Sequence, residues 1–230
     1  ATDGVHGFEL WATDGTPSGT SMVKDIRPGE SGSGVYEFFS VGDTLFFEAD
    51  DGVNGEELWK SDGTEAGTEM VKNIRIGGDS DPQEFFSVGD TLFFAADDGV
   101  HGRELWKSDG TWAGTVMVKD ITEVGGSSLS GFTAFDSLLY FRVSDQLWKS
   151  DGTADGTEMV KAFTNLDEIE PASNILFLKA DDGIHGDELW KSDGTEAGTT
   201  LVKDIYGGAE DSDIYDITSV DGFVIFQADD

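Results

Sequence analysis

Short runs of aromatic and β-branched residues alternate along this chain with clusters of Gly, Asp and Ser. Residues 36–74 show the pattern best. Tyr36-Glu37-Phe38-Phe39-Ser40-Val41 meets a Gly42-Asp43 turn and then Thr44-Leu45-Phe46-Phe47-Glu48-Ala49. An acidic loop, Asp50-Asp51-Gly52-Val53-Asn54-Gly55, leads to Glu57-Leu58-Trp59-Lys60, and a turn over 61–68 leads to Met70-Val71-Lys72-Asn73-Ile74. Such runs, bounded by turn residues at short intervals, predict antiparallel strands and not helices. Gly-Asp and Asp-Gly supply the positive φ angles that tight hairpins require.

The same four-run unit recurs. Its tryptophans stand at Trp11, Trp59, Trp106, Trp148 and Trp190, spaced by 48, 47, 42 and 42 residues. A period in this range marks a propeller or a solenoid. The longest connection follows the fourth run, as in residues 27–34 and 206–212, though the fourth copy's crossover, residues 164–168, is short. A four-stranded blade needs that crossover to return from its outer edge to the axis. The chain ends on the second run of a unit and begins just before a third. The expectation is therefore a single all-β domain over 1–230: a five-bladed β-propeller of four-stranded antiparallel blades, closed by pairing N- and C-terminal strands in one blade. Closure of that kind removes open sheet edges. An excerpt from a longer array would read the same way.

Charge narrows the partners. The 47 acidic and 14 basic residues give a formal net of −33, which repels phosphate backbones and anionic membranes. No nucleic-acid partner and no membrane insertion are expected, and cations are favoured. Sixteen Phe and six Trp provide for a packed core despite this charge. With no cysteine, disulfides, thiolate nucleophiles and zinc–thiolate sites are excluded. The chain opens without an initiator Met, which suggests a processed or excised piece.

Residues 57–68, Glu-Leu-Trp-Lys-Ser-Asp-Gly-Thr-Glu-Ala-Gly-Thr, followed by Met70-Val71-Lys72, resemble the ELWxxDGT repeat family of bacterial secreted and surface proteins. The resemblance covers essentially the whole chain. It implies a propeller-like fold, a secreted or cell-surface location, and interaction more than catalysis; it carries over no catalytic residue. The fourth copy departs from the pattern, because it lacks the acidic loop and has Gln146 where the others have Glu. A closed five-bladed ring with units of this length also resembles the tachylectin type of lectin in architecture.

The acidic loops are candidate Ca²⁺ sites, since clustered carboxylates and Gly-allowed carbonyls suit a hard cation. The candidate ligands are Asp50, Asp51 and Glu57, then Asp97, Asp98 and Glu104, then Asp181, Asp182 and Glu188. The competing reading is that the Asp residues cap turns and each Glu accepts from loop amides. His6, His101 and His185 fall at one loop position that Asn54 fills in the second copy, which points to hydrogen bonding. Asp14, Asp62, Asp109, Asp151 and Asp193 resemble Asp-box hairpins and read as turn formers. The five repeated tryptophans read as core. Trp112 breaks the repeat on an exposed turn and is the best contact candidate, with Tyr36 and Tyr206 near the crossovers. Arg27 and Arg75 share one crossover position and could form a small anion site.

Together these features predict an extracellular, non-enzymatic binding, adhesion or structural module, calcium-stabilised and facing a glycan or protein surface, with self-assembly open. A multivalent glycan-binding lectin is the alternative. A glycan hydrolase or lyase is the remote one, with Asp167, Glu168 and Glu170 of the irregular fourth unit as its only place for acid and base.

Overall fold

The computed structural model describes residues 1–122 and 125–230. Every regular element is a β-strand, and among the described residues no helix is long and apolar enough to cross a membrane. Two compact units, Ala1–Ser127 and Ser128–Asp230, divide the chain.

The first unit opens with a two-stranded sheet, β1 (Leu10–Ala12) and β2 (Ser21–Lys24). Two four-stranded sheets follow. One holds β3 (Tyr36–Val41), β4 (Thr44–Asp50), β5 (Glu56–Ser61) and β6 (Glu69–Lys72). The other holds β7 (Gln83–Val88), β8 (Thr91–Asp97), β9 (Arg103–Ser108) and β10 (Val116–Lys119). The second unit has β11 (Leu129–Phe135), β12 (Leu138–Val143), β13 (Gln146–Ser150) and β14 (Glu158–Ala162) in one sheet. Its next sheet has β15 (Asn165–Ala172), β16 (Ile175–Asp181), β17 (Glu188–Ser192) and β18 (Thr200–Lys203), and a pair, β19 (Tyr215–Val220) and β20 (Phe223–Gln227), comes last. All four-stranded sheets are antiparallel meanders in chain order, as the run pattern predicts. The pairs β1–β2 and β19–β20 stand as separate two-stranded sheets, and no ladder completes a fifth four-stranded one among the described residues.

Register repeats from sheet to sheet. Phe47 faces Trp59, Phe94 faces Trp106, Phe141 faces Trp148 and Leu178 faces Trp190. Phe47, Phe94, Phe141 and Leu178 are fully buried, and Trp59, Trp106 and Trp190 nearly so, which places these three repeated tryptophans in the core, whereas Trp11 and Trp148 are half-buried. Burying a side chain of this size stabilises by roughly 1.5–3 kcal/mol. The Asp-Gly-Thr turns are built as the sequence implies. Asp62 Oδ1 accepts from the Thr64 amide at 2.9 Å and its hydroxyl at 2.7 Å, and Asp14, Asp109, Asp151 and Asp193 repeat the pair. A Cβ on Gly67 would lie 2.1 Å from Asp62 Oδ1, so the second glycine of the motif is fixed by that carboxylate.

Candidate functional site

The structure gives the nine candidate calcium residues other work. Asp51 Oδ1 accepts from the amides of Val53 and Asn54, both at 2.8 Å, and Asp98 and Asp182 cap their own loops in the same way. Asp50, Asp97 and Asp181 accept from Gly52, Gly99 and Gly183. Glu57 turns the other way, into the crossover, where it accepts from Ile74 N at 2.8 Å, Arg75 N at 3.0 Å and Ser80 Oγ at 2.6 Å. Glu104 holds Ile121, Thr122 and Ser127 likewise, and Glu188 accepts from Tyr206 N. Each Glu is a buried staple between its strand and the following crossover. Burial pushes the Glu57 carboxyl upward, against the pull of Ser80 and the two amides.

Arg27 pairs with Asp50 and Arg75 with Asp97, so each guanidinium spans to the next sheet's acidic loop. Trp112 is 68% exposed, with Lys72 Nζ 4.5 Å from its ring centre, a cation–π contact on the surface. Tyr36 and Tyr206 are exposed at their crossovers. The loop histidines are hydrogen-bonded: His6 Nδ1 lies 2.7 Å from Asp3 and His101 Nδ1 2.7 Å from Asp98, while His185 meets Asp182. Asn54 takes the same role, donating to Asp51 and accepting from Asn73 at 2.8 Å.

A different constellation, which the sequence reading passed over, lies between the sheets β3–β6 and β7–β10. Glu48 on β4, Glu56 at the start of β5 and Asp81 in the crossover bring a carboxylate oxygen each to within 4.8 Å of one another. None of the nine expected calcium residues is in this group. Glu48 is only 4% exposed, and burial, reinforced by the like charges of Glu56 and Asp81, pushes its carboxyl up to about 8. Asp81 holds a left-handed backbone, φ 48°, which turns its carbonyl and one carboxylate oxygen onto Arg103 Nη1 at 2.8 and 3.1 Å. Gln83 Nε2 holds the other oxygen at 2.7 Å. Glu56 N donates to Asp79, and Glu56 O accepts from Ser80 N at 2.8 Å. Glu56, Asp79, Asp81 and Arg103, with Arg75, Gly78 and Asp97, line a cavity of about 560 Å³, while Glu48 is buried against Glu56 and Asp81.

Comparison of copies explains the oversight. Glu48 aligns with Ala95, Arg142, Lys179 and Gln227; Glu56 with Phe8, Arg103 and Asp187; Asp81 with Gly34, Ser128 and Asp213. The repeated motif hides these positions because they do not repeat. The corresponding cleft between β1–β2 and β3–β6 is aromatic instead, about 320 Å³ with Phe8, Tyr36 and Phe38 on its walls. In the second unit the equivalent Lys179 binds Asp167 at 3.0 Å, and Arg142 donates to the carbonyls of Leu166 and Asp167. There Asp167, one of the three residues reserved for a glycan-active acid and base, meets cations.

No protein-family model matches the chain, and no curated protein matches it. Solved structures do. Puromycin hydrolase is similar over 91% of this chain and 35% of its own, at 15% identity and a TM-score of 0.51. A mutant of that enzyme complexed with PGG gives 14% identity and a TM-score of 0.54 over the same shares. The chain thus spans about a third of the length of the solved proteins it matches, and at this identity the likeness concerns the fold: all-β and propeller-like. Both of these solved proteins are hydrolases. This overturns the expectation of an adhesion or structural module and of its lectin alternative.

Proposed function

We propose that this chain is the ligand-recognising propeller of a hydrolase-type protein, with the cleft between the β3–β6 and β7–β10 sheets as the recognition site. The observation that carries this reading is that the cleft is lined by Glu56, Asp81 and Arg103, with Glu48 buried against the two acids, at positions where the copies differ, whereas most repeated residues are spent on turns, staples and core. Its volume lies in the range of small-molecule pockets, roughly 300–1,000 Å³. Bond breaking is assigned to the remainder of a longer chain. The three histidines here are engaged by loop aspartates in repeated turns, and the puromycin hydrolase match occupies about a third of that enzyme. A thermal-shift panel of amino acids, short peptides, nucleotides and sugars tests the reading. At least one class is expected to raise the melting temperature, and Glu56→Gln and Arg103→Gln to abolish the rise. If every class at millimolar concentration leaves the transition unmoved, the reading fails.

Five blades with ring closure belong to the same proposal. In such a closed ring, the register shared by the complete sheets would set Phe226 of β20 opposite Trp11 of β1. Directly opposed strand positions suit a disulfide. A Phe226→Cys/Trp11→Cys variant is therefore expected to form an intramolecular disulfide on oxidation. Persistent free thiols in the folded monomer would exclude closure.

A further inference from the structure

We infer that protonation of His101 straps the loop between β8 and β9 to the end of β10, so that pH sets how firmly one wall of the cleft is held. The inference rests on the cleft being a recognition site and names its regulation.

The loop, residues 98–102, joins two residues of the cleft wall: Asp97 precedes it and Arg103 follows it. Both ends are fixed. Asp97 is paired with Arg75, and Gly102 lies so close to Gly126 that an added Cβ would stand 2.7 Å from it. Between the ends the chain leans on Asp98, which accepts from the Val100 and His101 amides at 2.8 Å and meets His101 Nδ1 at 2.7 Å. The charged groups acting on the imidazole are acids: Asp98 from its own loop, Glu104 from β9, and Asp120 just past β10. Glu104 is occupied at the crossover, whereas Asp120 Oδ1 is buried and has no hydrogen-bond partner among the described residues.

The second copy shows that side chains at these two positions meet. There Asn54 replaces the histidine and Asn73 the aspartate, and Asn73 Nδ2 donates to Asn54 Oδ1 at 2.8 Å. The two positions change together along the chain. His6 goes with Asp25, His101 with Asp120 and His185 with Asp204, but Asn54 goes with Asn73, and the fourth copy, which lacks the loop, has Ala162. Asp25 and Asp204 repeat the buried, unpartnered Oδ1.

An amide pair keeps its link at any pH. A histidine keeps it only as imidazolium, which has a second N–H for Asp120 once Nδ1–H has gone to Asp98. Neutral imidazole has one ring proton for two carboxylates, and a buried oxygen without its donor is costly. The hydrogen bond to Asp98 and the surrounding acids raise His101 above 6.5. The strap is therefore fastened below that value and released as pH rises through the raised one.

Solvent-exchange NMR on the full chain, without any ligand, tests this. Corrected for intrinsic rates, protection of the Val100 and His101 amides is expected to fall about fivefold from pH 6 to pH 8, while that of Val53 and Asn54 stays level. The Arg103 amide resonance should shift along the same titration curve. A His101→Asn/Asp120→Asn variant, which copies the pair of the second copy, should abolish the pH response. The two loops compared in the unmodified chain decide the matter even if that variant folds poorly. Protection at Val100 that is level with pH, or that falls equally at Val53, overturns the strap. A titrating loop beside a still Arg103 overturns its hold on the cleft wall. Either failure leaves the recognition reading standing on its own ligand panel, and silence from that panel leaves the strap standing.

Discussion

Replacing Glu48 by Gln should make the protein less sensitive to alkaline pH, and the size of the effect follows from its surroundings. The carboxyl is raised from its ordinary 4.5 to about 8 by burial and by the neighbouring Glu56 and Asp81. In the folded chain the proton is therefore held over a range where the unfolded chain has released it. Stability linked to that proton is fully present below the unfolded value and is lost as pH climbs through the folded one. A displacement of that size corresponds to an upper limit of about 5 kcal/mol. A carboxyl among other acids realises only part of that limit, so about 2 kcal/mol is the expected effect. For a chain of this length that is roughly 4–8 °C in melting temperature. The assay is urea unfolding of both proteins from pH 5 to pH 9 at fixed ionic strength. The variant should match the parent near pH 5 and exceed it by about 2 kcal/mol at pH 9. Parallel curves across the range would falsify the buried, proton-holding carboxyl.

Glu57→Ala strands two amides and the Ser80 hydroxyl at the crossover and should cost about 3 kcal/mol in urea unfolding, with Glu57→Gln costing less; equal losses would mean the charge does not matter. Phe94→Ala opens a cavity under a fully buried ring and should cost roughly 3–5 kcal/mol, so a loss under 1 kcal/mol would contradict the packing. EDTA at fixed ionic strength should leave the melting temperature unchanged, because the loop aspartates already cap their own turns; a drop of several degrees would put an ion on them. Hydrogen bonds to Asp3 and Asp98 raise His6 and His101 above 6.5, so their imidazole NMR signals should titrate above that value. The stabilisation they provide is present below 6.5 and fades as pH rises through the raised value, and titration at or below 6.5 would break that link.

The repeat made most of the architecture legible. A tryptophan every 42–48 residues, flanked by aromatic runs and Gly-Asp turns, leads to four-stranded meanders, because period, turn chemistry and burial all point one way. The turn role of Asp62 and the loop role of Asn54 were readable for the same reason, each being local to a few residues. The work of Glu57 was harder to see. Its partners Ile74, Arg75 and Ser80 lie 17–23 residues away, and only the crossover brings them back. Hence clustered acids that look like a cation loop divide in the fold, the aspartates toward the turn and the glutamate toward the crossover.

The charged cleft lay beyond sequence reading for a deeper reason. Aligning copies on a motif draws the eye to what they share, and what they share builds strands, hairpins and staples. One position on the second strand escapes that constraint, as it carries Glu48, Ala95, Arg142, Lys179 and Gln227 in successive copies. If the position served packing, the five would resemble one another in size and polarity, as Phe47, Phe94, Phe141 and Leu178 do one residue earlier. They run instead from a methyl group to a guanidinium. Where charged, they meet charges: Glu48 beside Glu56 and Asp81, Arg142 and Lys179 with Asp167. A scaffold that repeats its supports and varies one inward position can set a different charge in each cleft while leaving the sheets intact. Interchange of Glu48 and Ala95 should accordingly move the acidic character from one cleft to the next, at the cost of crowding a glutamate into the fully buried site of Ala95.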